Sequence, residues 1–205
     1  MDIIQVITKE LNVEKWQVEA AVKLIDEGCT IPFISRYRKE ATGSLNDEQL
    51  RALHERLLYL RNLEDKKNQV LTSIEEQGKL TPELKKQILA AQTLVVVEDL
   101  YRPYRPKRRT RAIIAKEKGL EPLANIIMLQ MTQKHLEEEA SAFISEEKGV
   151  ESAEDAINGA KDIIAEHISD EADYRIYIRK ITQQKGSVIS AAKNPEESSV
   201  YEMYY

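Results

Sequence analysis

"NDEQLRALHERLLYLRNLEDKKNQVLTSIEEQG", residues 46–78, is the stretch that decides the fold. Asn46 is suited to cap a helix, because its side chain can accept a hydrogen bond from the unpaired N–H groups of the first turn. Gln49 stands where it would complete a capping box, and Gly78 stands where a helix commonly ends. Between them, leucines recur at positions 50, 53, 57 and 60, so the stretch predicts an amphipathic helix of roughly 45 Å. Strict heptad spacing lasts only two repeats, which favours packing within the fold over a self-associating coiled coil.

The residues after this helix predict a helical hairpin. "TPEL" at 81–84 offers a Thr cap followed by Pro in the first turn, so a helix over 82–91 can fold back on the long one. The hairpin then spans about 46–91. "LVVVEDLY" at 94–101 is ambiguous, because its three valines favour a strand and its surroundings favour a helix. We predict a helix there.

The rest of the chain also predicts helices. Two precede the hairpin, at 3–11 and at 13–27, with Asn12 as the cap of the second and Trp16 on its apolar face. A cluster of short helices follows at about 111–184, and its first two members, joined by "GLEP", form a helix–turn–helix-like pair. The predicted class is therefore all-α over 1–186. Residues 187–205 predict a linker and then, at 199–205, the start of a strand that we expect to lead to downstream domains.

The charge is unevenly distributed along the chain. The formal net charge is −5, yet "YRPYRPKRRTR" at 101–111, here called the basic connector, contains six cations and no acid. Residues 1–111 carry 20 Lys and Arg against 17 Asp and Glu, whereas 112–205 carry 10 against 18. Such segregation is typical of a surface that attracts a polyanion, or of acidic and basic segments that neutralise each other within one fold.

Two basic and aromatic stretches are candidates for binding nucleic acid: "PFISRYRKE" at 32–40 and the basic connector. Arginine and lysine contact phosphates and release counterions, while tyrosine rings can stack on unpaired bases. The predicted phosphate contacts are Arg36, Arg38, Lys39, Arg105, Lys107, Arg108, Arg109 and Arg111, and the predicted stacking residues are Tyr37 and Tyr104. The alternative is that the acidic residues of 131–173 neutralise the connector within the fold.

The sequence offers no catalytic or metal-binding pattern. His54, His135 and His167 lack a second ligand at metal-binding spacing, and there is no Gly-rich phosphate loop, nucleophile elbow or CxxC pair. We therefore expect no catalytic residues, no metal or other cofactor and no small-molecule substrate. No apolar run is long enough to cross a membrane, and the single Cys29 fits a reducing cytoplasm.

Four segments carry a resemblance to a known family: "TIPFISRYRKEATGSLNDEQLRALHERLLYLRNLEDKK", "SIEEQGKLTPEL", "EDLYRPYRPKRRTRAIIAKEKGLEPLA" and "DYRIYIRK". They resemble the N-terminal part of the bacterial Tex family of transcription accessory proteins. The resemblance implies a helical region of a larger cytoplasmic protein, followed by an RNase-H-like domain without hydrolytic activity, a helix–hairpin–helix domain and an OB-fold that binds nucleic acid. It also implies kinship with a eukaryotic transcription elongation factor.

Together these observations predict a non-catalytic scaffold with an auxiliary nucleic-acid surface that contacts phosphates without reading sequence. Most nucleic-acid binding would then belong to downstream domains, and the residues do not distinguish DNA from RNA. The alternative function is a protein-interaction module that docks to RNA polymerase or other transcription machinery, with the basic connector as an internal brace.

Overall fold

The computed structural model describes residues 2–204, and over that range the predicted all-α class is confirmed. Eleven α-helices and no strand are present in the described residues, where the only β-type pairing is an isolated bridge between Ser145 and Val150. The chain divides into two compact units, the first ending at Tyr101 and the second beginning at Arg102. The helices are α1 (Ile3–Leu11), α2 (Lys15–Asp26), α3 (Ile31–Tyr37), α4 (Asp47–Glu76), α5 (Pro82–Ala90), α6 (Leu94–Tyr101), α7 (Arg111–Glu117), α8 (Glu121–Leu129), α9 (Leu136–Ser141), α10 (Ala153–Asp170) and α11 (Ala172–Lys185).

The long helix α4 forms as its sequence predicts. The backbone N–H of Gln49 donates to Asn46 Oδ1 at 2.8 Å, and the backbone N–H of Asn46 donates to Gln49 Oε1 at 3.0 Å, which completes the capping box. Gly78 follows the helix with a φ of +66°, a left-handed conformation that favours glycine. The leucine stripe is buried, and it is continued by Leu63, Val70 and Ile74.

The first unit is built around α4, which packs against α1, α2, α3, α5 and α6. Lys67 lies in its buried stripe with a side chain that is only 2% exposed. Its ammonium donates to Glu64 Oε1 and to the carbonyl oxygen of Leu89, both at 3.0 Å, so the charge is compensated and the C-terminal end of α5 gains a donor. The ambiguous run at 94–101 is a helix, as predicted, and it buries Val97 against this core.

Three local predictions were wrong. Asn12 does not cap α2; it ends α1 in a left-handed conformation (φ 50°), and α2 begins only at Lys15. Trp16 is half-exposed. The tail forms no strand in the described part of 199–205; a 3₁₀ turn, Glu202–Tyr204, replaces it, and Tyr205 lies outside the described residues. No neighbouring strand is described there to accept its backbone hydrogen bonds, so local turn bonds satisfy them instead.

The second unit is organised around α10, which packs against α7, α8, α9 and α11. Helices α7 and α8, the predicted helix–turn–helix-like pair, turn at Gly119 and bury small and aliphatic side chains in the same core as α10. Gly159 of α10 permits a close approach, because a Cβ at that position would lie 2.3 Å from Leu120 Cδ1. Helix α11 differs from its neighbours in that none of its residues is buried.

Candidate nucleic-acid interface

The first candidate surface lies at the end of α3 and is called the α3 patch: Phe33, Arg36, Tyr37, Arg38 and Lys39. Thr30 precedes the helix in an extended conformation and Pro32 lies in its first turn, so the helix is short and ends at Tyr37. All five patch residues are exposed. Among the described residues no carboxylate lies within ion-pairing distance of the three cations, so their charges face solvent.

Within the α3 patch, Phe33 organises the side chains around it. Its ring centroid lies 5.4 Å from that of Tyr37, at an interplanar angle of 44°. The guanidinium carbon of Arg38 lies 5.5 Å from the same Phe33 centroid, within the range of a cation–π contact. Tyr37 remains 69% exposed. The patch therefore presents one accessible aromatic ring beside positive charge.

The loop that follows the α3 patch is held against α2. The buried Thr42 hydroxyl donates to the carbonyl oxygen of Arg38 at 3.2 Å, and the Gln17 amide donates to the carbonyl oxygen of Gly43 at 3.0 Å. Gly43 has a φ of +60°, and a Cβ there would lie 2.5 Å from the Trp16 ring. These contacts fix the backbone around Arg38 and place Trp16 next to the loop.

The second candidate surface is the basic connector, and part of its charge is used inside the second unit. Arg102 Nε donates to Asp170 Oδ1 at 2.8 Å. Lys107 Nζ donates to Asp170 Oδ2 and lies 3.2 Å from Glu166 Oε1. Partial burial opposes the charged form of Lys107, but hydrogen bonds to Asp170 and Glu166 outweigh it, and the pKa of the ammonium is raised. Lys107 is thus a charged group already held by two carboxylates.

The remaining connector cations are more accessible. Arg109 pairs with Glu117 at 2.8 Å and Arg111 lies 3.6 Å from Asp162, but both arginine side chains are mostly exposed. Arg105 and Arg108 are exposed and, within the described part of the chain, have no ion-pair partner.

Tyr104, the second predicted stacking residue, is placed differently from Tyr37. It is half-buried and lines a cleft of about 660 Å³ within the second unit, together with Lys107, Lys116, Glu166 and Asp170. Opposite charges therefore share this cleft, and the ring is less accessible than that of Tyr37.

Sequence reasoning named the acidic residues of 131–173 as alternative partners of the connector, but it did not identify which of them meet its cations. Asp162, Glu166 and Asp170 lie four residues apart on α10, so they share one helical face, and each lies close to a connector cation. The sequence feature that could have identified these three acids is their four-residue spacing, which by itself also fits a solvated acidic face.

The described residues show no arrangement suited to metal binding. No three His, Cys, Asp or Glu side chains in residues 2–204 come together so that they could hold a metal ion. No helix within residues 2–204 is both long and apolar enough to cross a membrane.

Comparison with known proteins gives two family matches. A Tex-like protein N-terminal domain matches residues 1–75, and a Tex central region-like model matches residues 131–205.

Individual relatives of this chain indicate the same family. The transcriptional accessory protein Tex of Neisseria gonorrhoeae is 48% identical over 173 residues, which cover 84% of this chain and 22% of that protein. The protein tex of Bordetella pertussis is 45% identical over 196 residues, covering 96% and 25%. The human S1 RNA-binding domain-containing protein 1 is 29% identical over 192 residues, covering 93% and 19%. The chain thus spans about a quarter or less of the length of these curated relatives, and it belongs to the Tex family.

Proposed function

We propose that this chain is a non-catalytic scaffold and auxiliary nucleic-acid-binding region of a cytoplasmic transcription accessory factor. The observation that carries the proposal is the α3 patch, where Arg36, Arg38 and Lys39 are exposed beside one another without a carboxylate partner in the described residues. Relatives are named as a transcriptional accessory protein and as an S1 RNA-binding domain-containing protein, which supports a nucleic-acid partner.

The proposed contacts are electrostatic. Cations that neutralise phosphates release condensed counterions, which gives affinity without sequence readout and makes binding fall steeply with salt. In the second unit we assign this role to Arg105 and Arg108, aided by the exposed Arg109 and Arg111. Lys107, held by two carboxylates, we assign to bracing the connector instead.

A salt titration tests the proposal. Changing Arg36, Arg38 and Lys39 to Gln should weaken binding to both single-stranded and duplex probes and should reduce the slope of log K against log salt by about 2–3. Changing Lys79, Lys85 and Lys86 to Gln is the matched control, because it removes the same charge from three exposed lysines elsewhere in the first unit. Equal losses in the two triple variants would show that net charge alone matters and that the α3 patch is not a binding surface.

A second candidate function, a protein-interaction module, is favoured by α11. Tyr174, Tyr177, Ile178 and Ile181 follow the spacing of a single helical face, and all four are exposed. Apolar stripes of this kind are typical of helices that dock into a partner's groove. Purified RNA polymerase is the partner to test, with Ile178→Lys as the variant. Binding that the substitution abolishes supports this function, and absence of binding rejects it for that partner.

A further inference from the structure

We propose that the α3 patch takes a single-stranded nucleic acid and stacks one unpaired base on the ring of Tyr37. This inference rests on the proposed nucleic-acid function and specifies the class of ligand. The observation behind it is the combination of a 69%-exposed aromatic ring with three exposed cations adjacent to it in the chain. Charge alone serves a duplex equally well, whereas an accessible ring is useful only to a base that is not already stacked and paired.

The ring geometry determines where a base can be accommodated. Phe33 and Tyr37 already contact each other, with centroids 5.4 Å apart, so a base cannot enter between them. The Phe33 ring is also covered by Arg38, whose guanidinium carbon lies 5.5 Å from the ring centroid. The accessible surface is that of Tyr37, because Phe33 is the less exposed of the two rings. The base therefore stacks on Tyr37, and Phe33 is a positioning residue.

The cations that would contact the phosphates of the strand are close neighbours of Tyr37 in the chain. Arg36 and Arg38 flank Tyr37 in the chain, and Lys39 follows at once. The backbone at Arg38 and Lys39 is fixed, since their carbonyl oxygens accept hydrogen bonds from the Thr42 hydroxyl and from the Ser44 backbone N–H. A surface that is ordered before binding loses less conformational entropy when the strand docks.

The experiment compares single-stranded and duplex probes on the 205-residue chain. Labelled oligothymidylate and a hairpin duplex of similar charge are titrated, and binding is followed by fluorescence anisotropy. Tyr37→Ala should weaken oligothymidylate binding by roughly 5- to 150-fold, the range expected for loss of one stacked base. Duplex binding should change by less than about twofold, since the phosphate contacts remain.

Three further variants separate stacking from other effects. Tyr37→Phe keeps the ring and should bind as the unchanged chain does. Phe33→Leu keeps apolar volume but loses the aromatic support, so it should weaken single-strand binding less than Tyr37→Ala does. Tyr201→Ala is the matched control, because Tyr201 is 63% exposed in the second unit and should have no effect. Circular dichroism at 222 nm shows whether each variant is folded.

The outcomes distinguish this inference from the function on which it rests. If Tyr37→Ala weakens binding of both probes equally, or of neither, the stacking inference is wrong. Phosphate binding by the α3 patch still stands in that case, as long as the Arg36, Arg38 and Lys39 variant loses affinity. If that charge variant binds both probes normally, the proposed function is wrong. A selective loss of the single-stranded probe in Tyr37→Ala, with normal binding by Tyr37→Phe, supports the inference.

Discussion

The contact between Lys107 and Asp170 provides a direct test of whether the basic connector is braced. Asp170→Ala removes a carboxylate that is 11% exposed and that accepts from both Arg102 and Lys107. Removing one partner of a fully buried ion pair costs about 3–5 kcal/mol, whereas a fully exposed pair contributes less than about 1 kcal/mol. Arg102 is 46% exposed and Lys107 25% exposed, so this pair is intermediate. We expect the free energy of unfolding to fall by about 2 kcal/mol.

Urea denaturation followed by far-UV circular dichroism measures this change, because the helical signal reports both units. Tryptophan fluorescence would not suit, since Trp16 lies in the first unit and Asp170 in the second. Glu117→Ala is the control: the Arg109–Glu117 pair is short at 2.8 Å, but its side chains are 70% and 54% exposed. It should cost less than about 0.5 kcal/mol. Equal losses in the two variants would refute the distinction between braced and solvated cations.

The same reasoning orders two connector variants in a nucleic-acid binding assay. Arg108→Gln should weaken binding more than Lys107→Gln, because two carboxylates already neutralise Lys107 while Arg108 has no ion-pair partner among the described residues. The opposite order would show that Lys107 leaves its carboxylates to contact phosphate, and the assignment of this lysine as a brace would then be wrong.

Other consequences of the structure can be measured in the same denaturation assay. Gly159→Ala should lower the free energy of unfolding by about 1–3 kcal/mol despite alanine's higher helix propensity, because the added Cβ would overlap the buried Leu120; a gain in stability would contradict this. Ile178→Lys should change it by less than about 0.5 kcal/mol, since that side chain is already exposed; a larger loss would mean that the Ile178 side chain is packed in solution. A hydrogen bond from Arg61 lowers the pKa of Asp26 below its ordinary value of 3.8. The pair therefore stabilises the fold at pH values above 3.8, and this contribution is lost as the pH falls through the lower pKa of the folded state. Asp26→Asn should therefore reduce the loss of stability on acidification, and an unchanged pH profile would count against the pair.

The caps and the long helix could be predicted because their interactions are local. The partners that begin α4 lie three residues apart, so the sequence window that contains the pattern also contains its cause. The same reasoning misplaced the cap of α2, because Asn12 is equally suited to the left-handed end of α1. A residue that fits two adjacent roles needs its tertiary contacts to decide between them.

The state of the connector could not be predicted from local pattern. Lys107 and Asp170 are 63 residues apart, and Arg102 and Asp170 are 68 apart. Only the packing of the second unit brings them together. The four-residue spacing of Asp162, Glu166 and Asp170 shows that they share a face of α10, but not which cations that face meets. The predicted strand at 199–205 is absent from the described residues for a related reason, since a strand forms only where a neighbouring strand accepts its hydrogen bonds.

The density of positive charge in the sequence is therefore a poor measure of the charge available to a partner. The basic connector contains six cations, but Arg102 and Lys107 are bound to the carboxylates of α10, and a third, Arg111, faces Asp162. A polyanion that approaches this segment therefore meets less unneutralised positive charge than the sequence suggests. The α3 patch has only three cations, yet none has a described carboxylate partner. Per residue it offers a phosphate more unopposed charge, and for that reason the weaker of the two sequence signals is the stronger candidate for binding.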